Sequence, residues 1–229
     1  MVTYILIPAH NEESAIGHVI DSLKSNGWTN ILVVNDASTD NTVEIATRYG
    51  AAVIDSLGQR GQGRGLQTGF EYFCSHTKPD VVVTFDADGQ HRASDIEALV
   101  EPILEGRADI TLGSRFLAGT SHTVPLLRML VLKSAIIFTR ILTGMPVTDT
   151  HCGLRALTYK AYSSIHFRHA GMAHASEFFD IIKAKQLRWE EVPVSVDYTK
   201  HTLSKGQKAY RAFPIAWQYI LGRMRTYKE

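Results

Sequence analysis

Cysteine is nearly absent: Cys74 and Cys152 are the only two in 229 residues, and they lie far apart in sequence. Two isolated cysteines make no disulfide framework, so the expected setting is a reducing, cytoplasmic compartment. The chain reads from Met1 directly into a β-rich run, without the basic start and cleavage site of a secretory signal. No run of 18 apolar residues is free of charge, so no membrane span is expected. Internal repeats and low-complexity segments are also lacking. The net charge of +1 gives no global case for nucleic-acid binding. Charge is unevenly spread, however. From Asp197 to Glu229 seven Lys/Arg stand against two acids, which makes the C-terminal end locally basic.

What is present suits one large domain or two small ones. Hydrophobic residues make up 45% of the chain and charged residues 21%, enough of each for a buried core and a wet surface. The first half alternates strand and helix patterns. Val2–Ile7 is a β-rich run ended by Pro8, and Ile16, Val19, Ile20 and Leu23 then recur at helical spacing, with Asn11 or Ser14 as N-cap. Ile31–Val34 is a second strand, followed by a helix through Arg48 with Gly50 just past its end. Ala51–Ile54 is a third strand. Such alternation predicts a doubly wound, mostly parallel sheet.

The densest chemistry follows the run Val81-Val82-Val83-Thr84-Phe85, where Asp86-Ala87-Asp88-Gly89-Gln90-His91 begins. An uninterrupted apolar run predicts a strand covered on both faces, and ligands in open α/β sheets bind outside the carboxyl ends of strands. Two carboxylates at i and i+2 repel unless a cation lies between them or one is protonated. Oxygen donors suit Mg²⁺ or Mn²⁺, which keeps waters and binds substrate phosphates. The same tetrapeptide is also ordinary turn chemistry. What lifts it above a lone motif is repetition, because the first two strands also end in polar clusters, Asn11-Glu12-Glu13-Ser14 and Asn35-Asp36-Ala37-Ser38.

Gln59-Arg60-Gly61-Gln62-Gly63-Arg64-Gly65 precedes an apolar-periodic helix, and its glycines and arginines suit an anion at a helix N-terminus or a solvated loop. It does not match the spacing of a dinucleotide-binding fingerprint. Asp95–Leu104 reads as a helix and Ile110–Gly113 as a strand with Arg115 behind it, placed for a phosphate or for a salt bridge. Pro125–Thr143 is a helix apolar nearly all round but broken by Arg128, Lys133 and Arg140; a core helix and a membrane-interface helix both fit. Asp149-Thr150-His151-Cys152-Gly153-Leu154-Arg155 is a second polar node. His91, His151, Cys152 and His174 match no zinc-finger spacing. Ser176–Lys185 reads as a helix, Trp189–Val196 as a strand, and Lys208–Tyr227 as a helix packed on the body or on a membrane face.

Taken together, these stretches resemble the family 2 glycosyltransferases of the GT-A fold, and among them the dolichyl- and polyprenyl-phosphate mannose or glucose synthases. The matching runs are Ile7–Glu13, Val34–Asp40, Gly61–Gly65, Asp86–His91, Gly113–Phe116 and Asp149–Arg155, in family order over roughly residues 3 to 200. The resemblance implies a three-layer α/β sandwich around a mostly parallel sheet, with a C-terminal helical/β extension. It implies one domain, with a nucleotide-sugar-binding half (1–115), an acceptor-binding half (116–205) and a C-terminal helix (206–229). Pro8, Asn11, Glu12 and Asp36 would line the nucleoside pocket, with Arg64, Ala87 and Arg115 also on the donor. Asp88, Gln90 and Asp86 would hold Mg²⁺ or Mn²⁺ on the diphosphate. Arg115 and Arg128 would position the acceptor phosphate. Lys205 would come from a loop closing over the diphosphate; there Ser204-Lys205 keeps part of the family's C-terminal pattern, while its Arg and first Gly are replaced.

The implied activity is inverting transfer of a hexose from a GDP- or UDP-sugar to a polyprenyl or dolichyl phosphate. A hydroxyl acceptor is the competing expectation and would need a base, for which Asp149 is the candidate. Asp149 could instead cap a helix or pair with Arg155. A silent nucleotide-sugar-binding subunit of a membrane complex is the alternative from another class. Membrane-surface contact, a membrane-protein partner and a homo-oligomer all fit this reading, and a nucleic-acid partner does not. A nucleotidyltransferase is disfavoured by the lack of a Gly-rich N-terminal signature with a catalytic Lys.

Overall fold

The computed structural model describes residues 1–56, 61–117, 126–167 and 174–197, and of 126–128, 131 and 174–176 the backbone alone. The segments 118–125 and 198–229, with Lys205 and the expected C-terminal helix, lie outside the described residues. The strands are β1 (Thr3–Ala9), β2 (Ile31–Asn35), β3 (Ala52–Asp55), β4 (Val81–Thr84), β5 (Ile110–Ser114), β6 (Arg155–Thr158) and β7 (Trp189–Pro193). The helices are α1 (Ile16–Ser25), α2 (Thr42–Arg48), α3 (Gln62–Ser75), α4 (Ile96–Leu104), α5 (Leu126–Thr143), α6 (Tyr159–Ser164) and α7 (His174–Ala184).

One seven-stranded sheet runs in the order β3-β2-β1-β4-β6-β5-β7. Every neighbouring pair is parallel except those made by β6, which runs antiparallel to both β4 and β5. Side chains alternate across a strand, so the valine run of β4 divides between two cores. Val81 and Val83 face a cluster with Ile16, Ile20 and Leu23 of α1 and with Ile96, Leu99 and Ile103 of α4. Val82 faces the other side, where Phe70 and Phe73 of α3, Tyr162 of α6 and Phe178, Phe179 and Ile182 of α7 pack. Helices on both faces of a mostly parallel sheet make the expected three-layer sandwich.

Several local expectations change. Pro8 lies inside β1 rather than ending it, in register with Val34. The Leu6 carbonyl accepts from Phe85 N–H on the β4 side, while β4 itself ends at Thr84. Pro8 has the parity of Leu6, so its missing N–H faces a side where no ladder bond is needed. Helix α1 starts without a side-chain cap; the Glu12 carbonyl receives the N–H groups of Ala15 and Ile16 instead. Gly50 does close α2, donating to Thr47 C=O while Ala51 donates to Ala46 C=O, the paired bonds of a Schellman end. Strand β6 and helix α6 carry no sequence expectation of their own. The glycines of α3 serve packing. A Cβ on Gly65 would lie 3.0 Å from the Pro8 Cβ, and one on Gly69 would overlap the Leu6 side chain, so they let α3 lie close on β1.

Asp109 fastens the start of β5 to its neighbours. Its carboxylate accepts from the Arg188 backbone N–H at 2.9 Å, the Arg188 guanidinium at 3.1 Å and Lys160 Nζ at 3.2 Å. Burial pushes the carboxyl up, but hydrogen bonds from Arg188 and Lys160 outweigh it and hold the carboxyl at about 2, below its ordinary 3.8. A carboxyl that titrates lower folded than unfolded stabilises fully above its unfolded value, and the contribution fades as pH falls through the folded one. Asp109→Asn is therefore expected to lower the urea midpoint at pH 7. The gap to wild type should close between about pH 4 and pH 2, and a gap independent of pH would refute the assignment.

Candidate active site

Asp86, Ala87 and Asp88 leave the C-terminal end of β4 and line a cavity of about 320 Å³ with Pro8, Ala9, His10, Glu12, Asp36, Gly61 and Gln62. A second cavity of about 140 Å³ shares Pro8, Gln62, Asp86 and Asp88. It extends the other way, to Thr84, Gln90, His91, Arg115, His151, Cys152, Gly153, Arg155 and Val196. The carboxylate pair thus stands between two chambers.

Asp86 is held from three sides. Gln62 donates its amide N–H to Oδ1 at 2.9 Å, and His91 donates from Nε2 to Oδ2 at 2.9 Å. The third side is Gly153, where a Cβ would overlap both carboxylate oxygens. His91 is packed edge-on against Phe85, and its Nδ1 is buried without a hydrogen-bond partner among the described residues. Asp88 accepts from Gln90 twice, from the backbone N–H at 3.1 Å and the side-chain amide at 2.5 Å. Burial pushes the Asp88 carboxyl up, and the Asp86 charge pushes it further, against the Gln90 bonds that lower it.

A divalent cation fits this donor set. Two carboxylates that raise each other's proton affinity, beside an amide, offer oxygen ligands and negative charge to a hard ion. No group of three or more His, Cys, Asp or Glu side chains converges among the described residues. The remaining positions would then fall to water and a bound phosphate, as Mg²⁺-type sites use.

The larger chamber is built from loops tied to one another. Asp36 is buried and accepts from Ser56 Oγ at 2.9 Å and from Gly61 N–H at 2.7 Å, anchoring the start of α3. Gly61 reaches that position at φ 84°, a conformation that favours glycine. His10 Nδ1 donates to the Asp36 carbonyl at 2.8 Å. Asn11, expected on the nucleoside, lines neither chamber; its Oδ1 accepts from Thr39 N–H at 2.8 Å and its N–H donates to Ser38 Oγ at 3.0 Å. Glu12 N–H donates to Thr42 Oγ1 at 2.8 Å, and Glu13 N–H to Asp40 at 3.1 Å. Half of the polar cluster after β1 is therefore a clasp onto the cluster after β2.

Arg115 and Asp149 form a buried pair in the smaller chamber's wall. Nε and Nη2 of Arg115 donate to the two Asp149 oxygens at 2.6 and 2.7 Å, and the Arg115 backbone N–H adds a bond at 3.1 Å. His151 N–H also donates to Asp149, at 3.0 Å. Burial pushes the Asp149 carboxyl up, yet the Arg115 charge and these bonds hold it below the ordinary carboxylate value. Asp149 lines neither chamber and pairs with Arg115, not Arg155. A carboxylate with both oxygens doubly bonded and its proton affinity lowered is poorly suited to act as a base.

Arg64 is exposed in the first turn of α3 and lines neither chamber. Of Arg128 only its place in α5 is described. His10, Gln62, His91, His151, Gly153, Arg155 and Val196 line the chambers without having been assigned roles from sequence. All but Val196 fall inside the runs that carried the resemblance, which was the available signal. His151 is pushed down to about 4 by burial, so it is neutral at physiological pH.

Comparisons with known proteins bear on the family and the fold. An uncharacterised protein of Methanocaldococcus jannaschii is 34% identical over 96% of this chain and 92% of its own length. The UDP-N-acetylglucosamine–dolichyl-phosphate N-acetylglucosaminyltransferase of Methanococcus voltae is 29% identical, over 96% of each chain. Among solved structures, the Mycobacterium tuberculosis glucosyl-3-phosphoglycerate synthase in complex with Mn²⁺, UDP and phosphoglyceric acid superposes with a TM-score of 0.73. At 20% identity over 96% of this chain and 76% of that one, it shares the fold. The family model for glycosyl transferase family 2 matches residues 4–172, and the chain is a member of that family of glycosyltransferases.

Proposed function

We propose that the protein moves a hexose from a UDP- or GDP-sugar to a polyprenyl or dolichyl phosphate, using Mg²⁺ or Mn²⁺ held by Asp86, Asp88 and Gln90. The observation that carries this reading is the carboxylate pair standing between two chambers. The names of relatives support the acceptor class. Besides the Methanococcus enzyme, the polyprenol monophosphomannose synthase of Mycolicibacterium smegmatis is 29% identical over 67% of this chain and 60% of its own length.

In this reading Glu12, His10, Pro8 and Asp36 hold the nucleoside, and the N-terminus of α3 faces the diphosphate. The bound cation offsets the charge of the departing nucleoside diphosphate. A phosphate oxygen of the acceptor forms the bond to the anomeric carbon as the bond to the diphosphate breaks, and the electron pair leaves with the diphosphate. That nucleophile is already an anion, so no base is required, which agrees with the saturated bonding of Asp149. Arg115, oriented by Asp149, and Arg128 position the reacting anions. The described residues end at Asp197, whose N–H donates to the Gln90 carbonyl at 2.8 Å.

Contact with the cytoplasmic membrane face rests on α5. No helix among the described residues is long and apolar enough to cross a membrane. Leu130, Ile137 and Ile141 are 56%, 57% and 77% exposed, and they fall within about a 40° arc of the helix. Exposed Lys133 and Arg140 lie along one edge of that stripe. Apolar side chains bordered by cations suit an anionic lipid surface.

Titrating UDP and GDP with and without Mn²⁺ is expected to show metal-dependent binding of one nucleotide. Asp88→Ala should abolish the metal dependence. Gly153→Ala, by displacing Asp86, should weaken it about 10–100-fold. Binding of neither nucleotide by folded wild type would overturn the proposal. Asp149→Asn should destabilise the fold by about 3–5 kcal/mol, because it removes the carboxylate charge that offsets buried Arg115. Its residual activity should keep the wild-type pH profile; loss of a basic limb would instead make Asp149 the base for a hydroxyl acceptor. Ile137→Glu/Ile141→Glu should abolish flotation with anionic vesicles while leaving nucleotide binding unchanged. Equal flotation of the variant and wild type would exclude this face.

A further inference from the structure

Strand β6 runs against its neighbours, so its first residue, Arg155, is delivered to the sheet edge where the parallel strands end. Arg155 sits in register with Thr84 of β4 and Leu112 of β5. It has the parity of Leu157, which packs in the core under α3 and α7. Its guanidinium lies over the Phe178 ring at 4.2 Å, its Nε–H donates to the Cys152 carbonyl at 3.1 Å, and the residue is only 6% exposed. It lines the smaller chamber with Thr84, Asp86, Asp88 and Arg115.

Among the described residues no carboxylate pairs with this guanidinium. Arg115 is neutralised by Asp149 across the same chamber. A buried charge without a partner is costly, and arginines kept for structure alone are paired when buried. Stacking on Phe178 fixes the guanidinium plane and the Cys152 carbonyl occupies Nε, which leaves the terminal nitrogens for a forked contact with a tetrahedral oxyanion. The position selects which oxyanion. In a single in-line displacement the nucleophile approaches opposite the leaving group, and Arg155 lies in the chamber that Asp86 and Asp88 separate from the larger one. We infer that Arg155 binds the phosphate of the acceptor. This inference rests on the proposed glycosyl transfer and adds to it the residue that receives the nucleophile.

The test is calorimetric titration of inorganic phosphate into protein loaded with Mn²⁺ and the nucleoside diphosphate it binds, for wild type, Arg155→Met and Arg155→Lys. The expected result is phosphate binding by wild type, weakened at least about tenfold in Arg155→Met and less in Arg155→Lys. Nucleotide affinity should stay within about twofold of wild type in both variants. Equal phosphate affinity in Arg155→Met, or no phosphate binding by wild type at millimolar concentration, overturns the inference. A parallel loss of nucleotide affinity also overturns it, because Arg155 would then serve the donor diphosphate. If circular dichroism shows Arg155→Met unfolded, Arg155→Lys decides, since lysine keeps the charge and loses the fork. If wild type binds no nucleotide, the glycosyl-transfer reading fails by itself, and the same phosphate comparison on unloaded protein still decides Arg155.

Discussion

The site depends on keeping two carboxylates that repel each other fixed at the end of one strand. Asp86 and Asp88 raise each other's proton affinity, and in water they would turn apart. Here Asp86 is fixed by Gln62 from α3, by His91 from its own loop, and by the bare Cα of Gly153. Gln62 and Gly153 come from segments remote in sequence, and Gly153 is brought to Asp86 because β6 is threaded antiparallel between β4 and β5. The reversal carries Gly153 past Asp86 and sets Asp149 behind Arg115. One topological choice therefore supplies both the clamp on the carboxylates and the wall of the smaller chamber.

Charge across the site is distributed unevenly, and the unevenness has chemical content. On the Arg115 side the cation is matched by Asp149, with every described oxygen of the carboxylate engaged. On the Arg155 side no carboxylate among the described residues pairs directly with the guanidinium, and Asp86 and Asp149 act on it only from beyond ion-pair distance. Asp86 and Asp88 are in excess where a cation and diphosphate would sit. A site that needed a proton acceptor would keep a carboxylate desolvated but free to bond a hydroxyl. This one engages its candidate base in orienting an arginine.

Much of the architecture was legible because periodicity is a local property. The alternation through Ile54, the helix through Leu66, Phe70 and Phe73, and the both-sides-buried valines of β4 stand as the sequence implies. Strand β6 was not legible: Arg155-Ala156-Leu157-Thr158 shows no clean alternation, since it is buried on both faces and begins with a charge. In the site, residue type pointed to loops that line the chambers but not to which of their side chains face them. Asn11 and Asp36 sit in equivalent clusters, yet one clasps a neighbouring loop and the other lines a chamber. Local sequence carries no information about which polar group is already taken by a distant one. The glycines of α3 illustrate the same limit, because the close approach that Gly65 and Gly69 permit is to β1.

The two proposed surfaces are linked through one helix. Helix α5 packs on α7, and α7 carries the Phe178 ring on which Arg155 stacks. The apolar stripe of α5 and the smaller chamber therefore belong to the same side of the sheet. An acceptor with a long apolar tail and a phosphate head must keep the tail in lipid while its head reaches the sugar. A helix lying against headgroups, with a buried cation reached through the next helix inward, would meet both demands. A small soluble acceptor would need the chamber alone and would leave the exposure of Leu130, Ile137 and Ile141 without a purpose. The stripe on α5 thus bears on acceptor choice as directly as the residues of the chamber do.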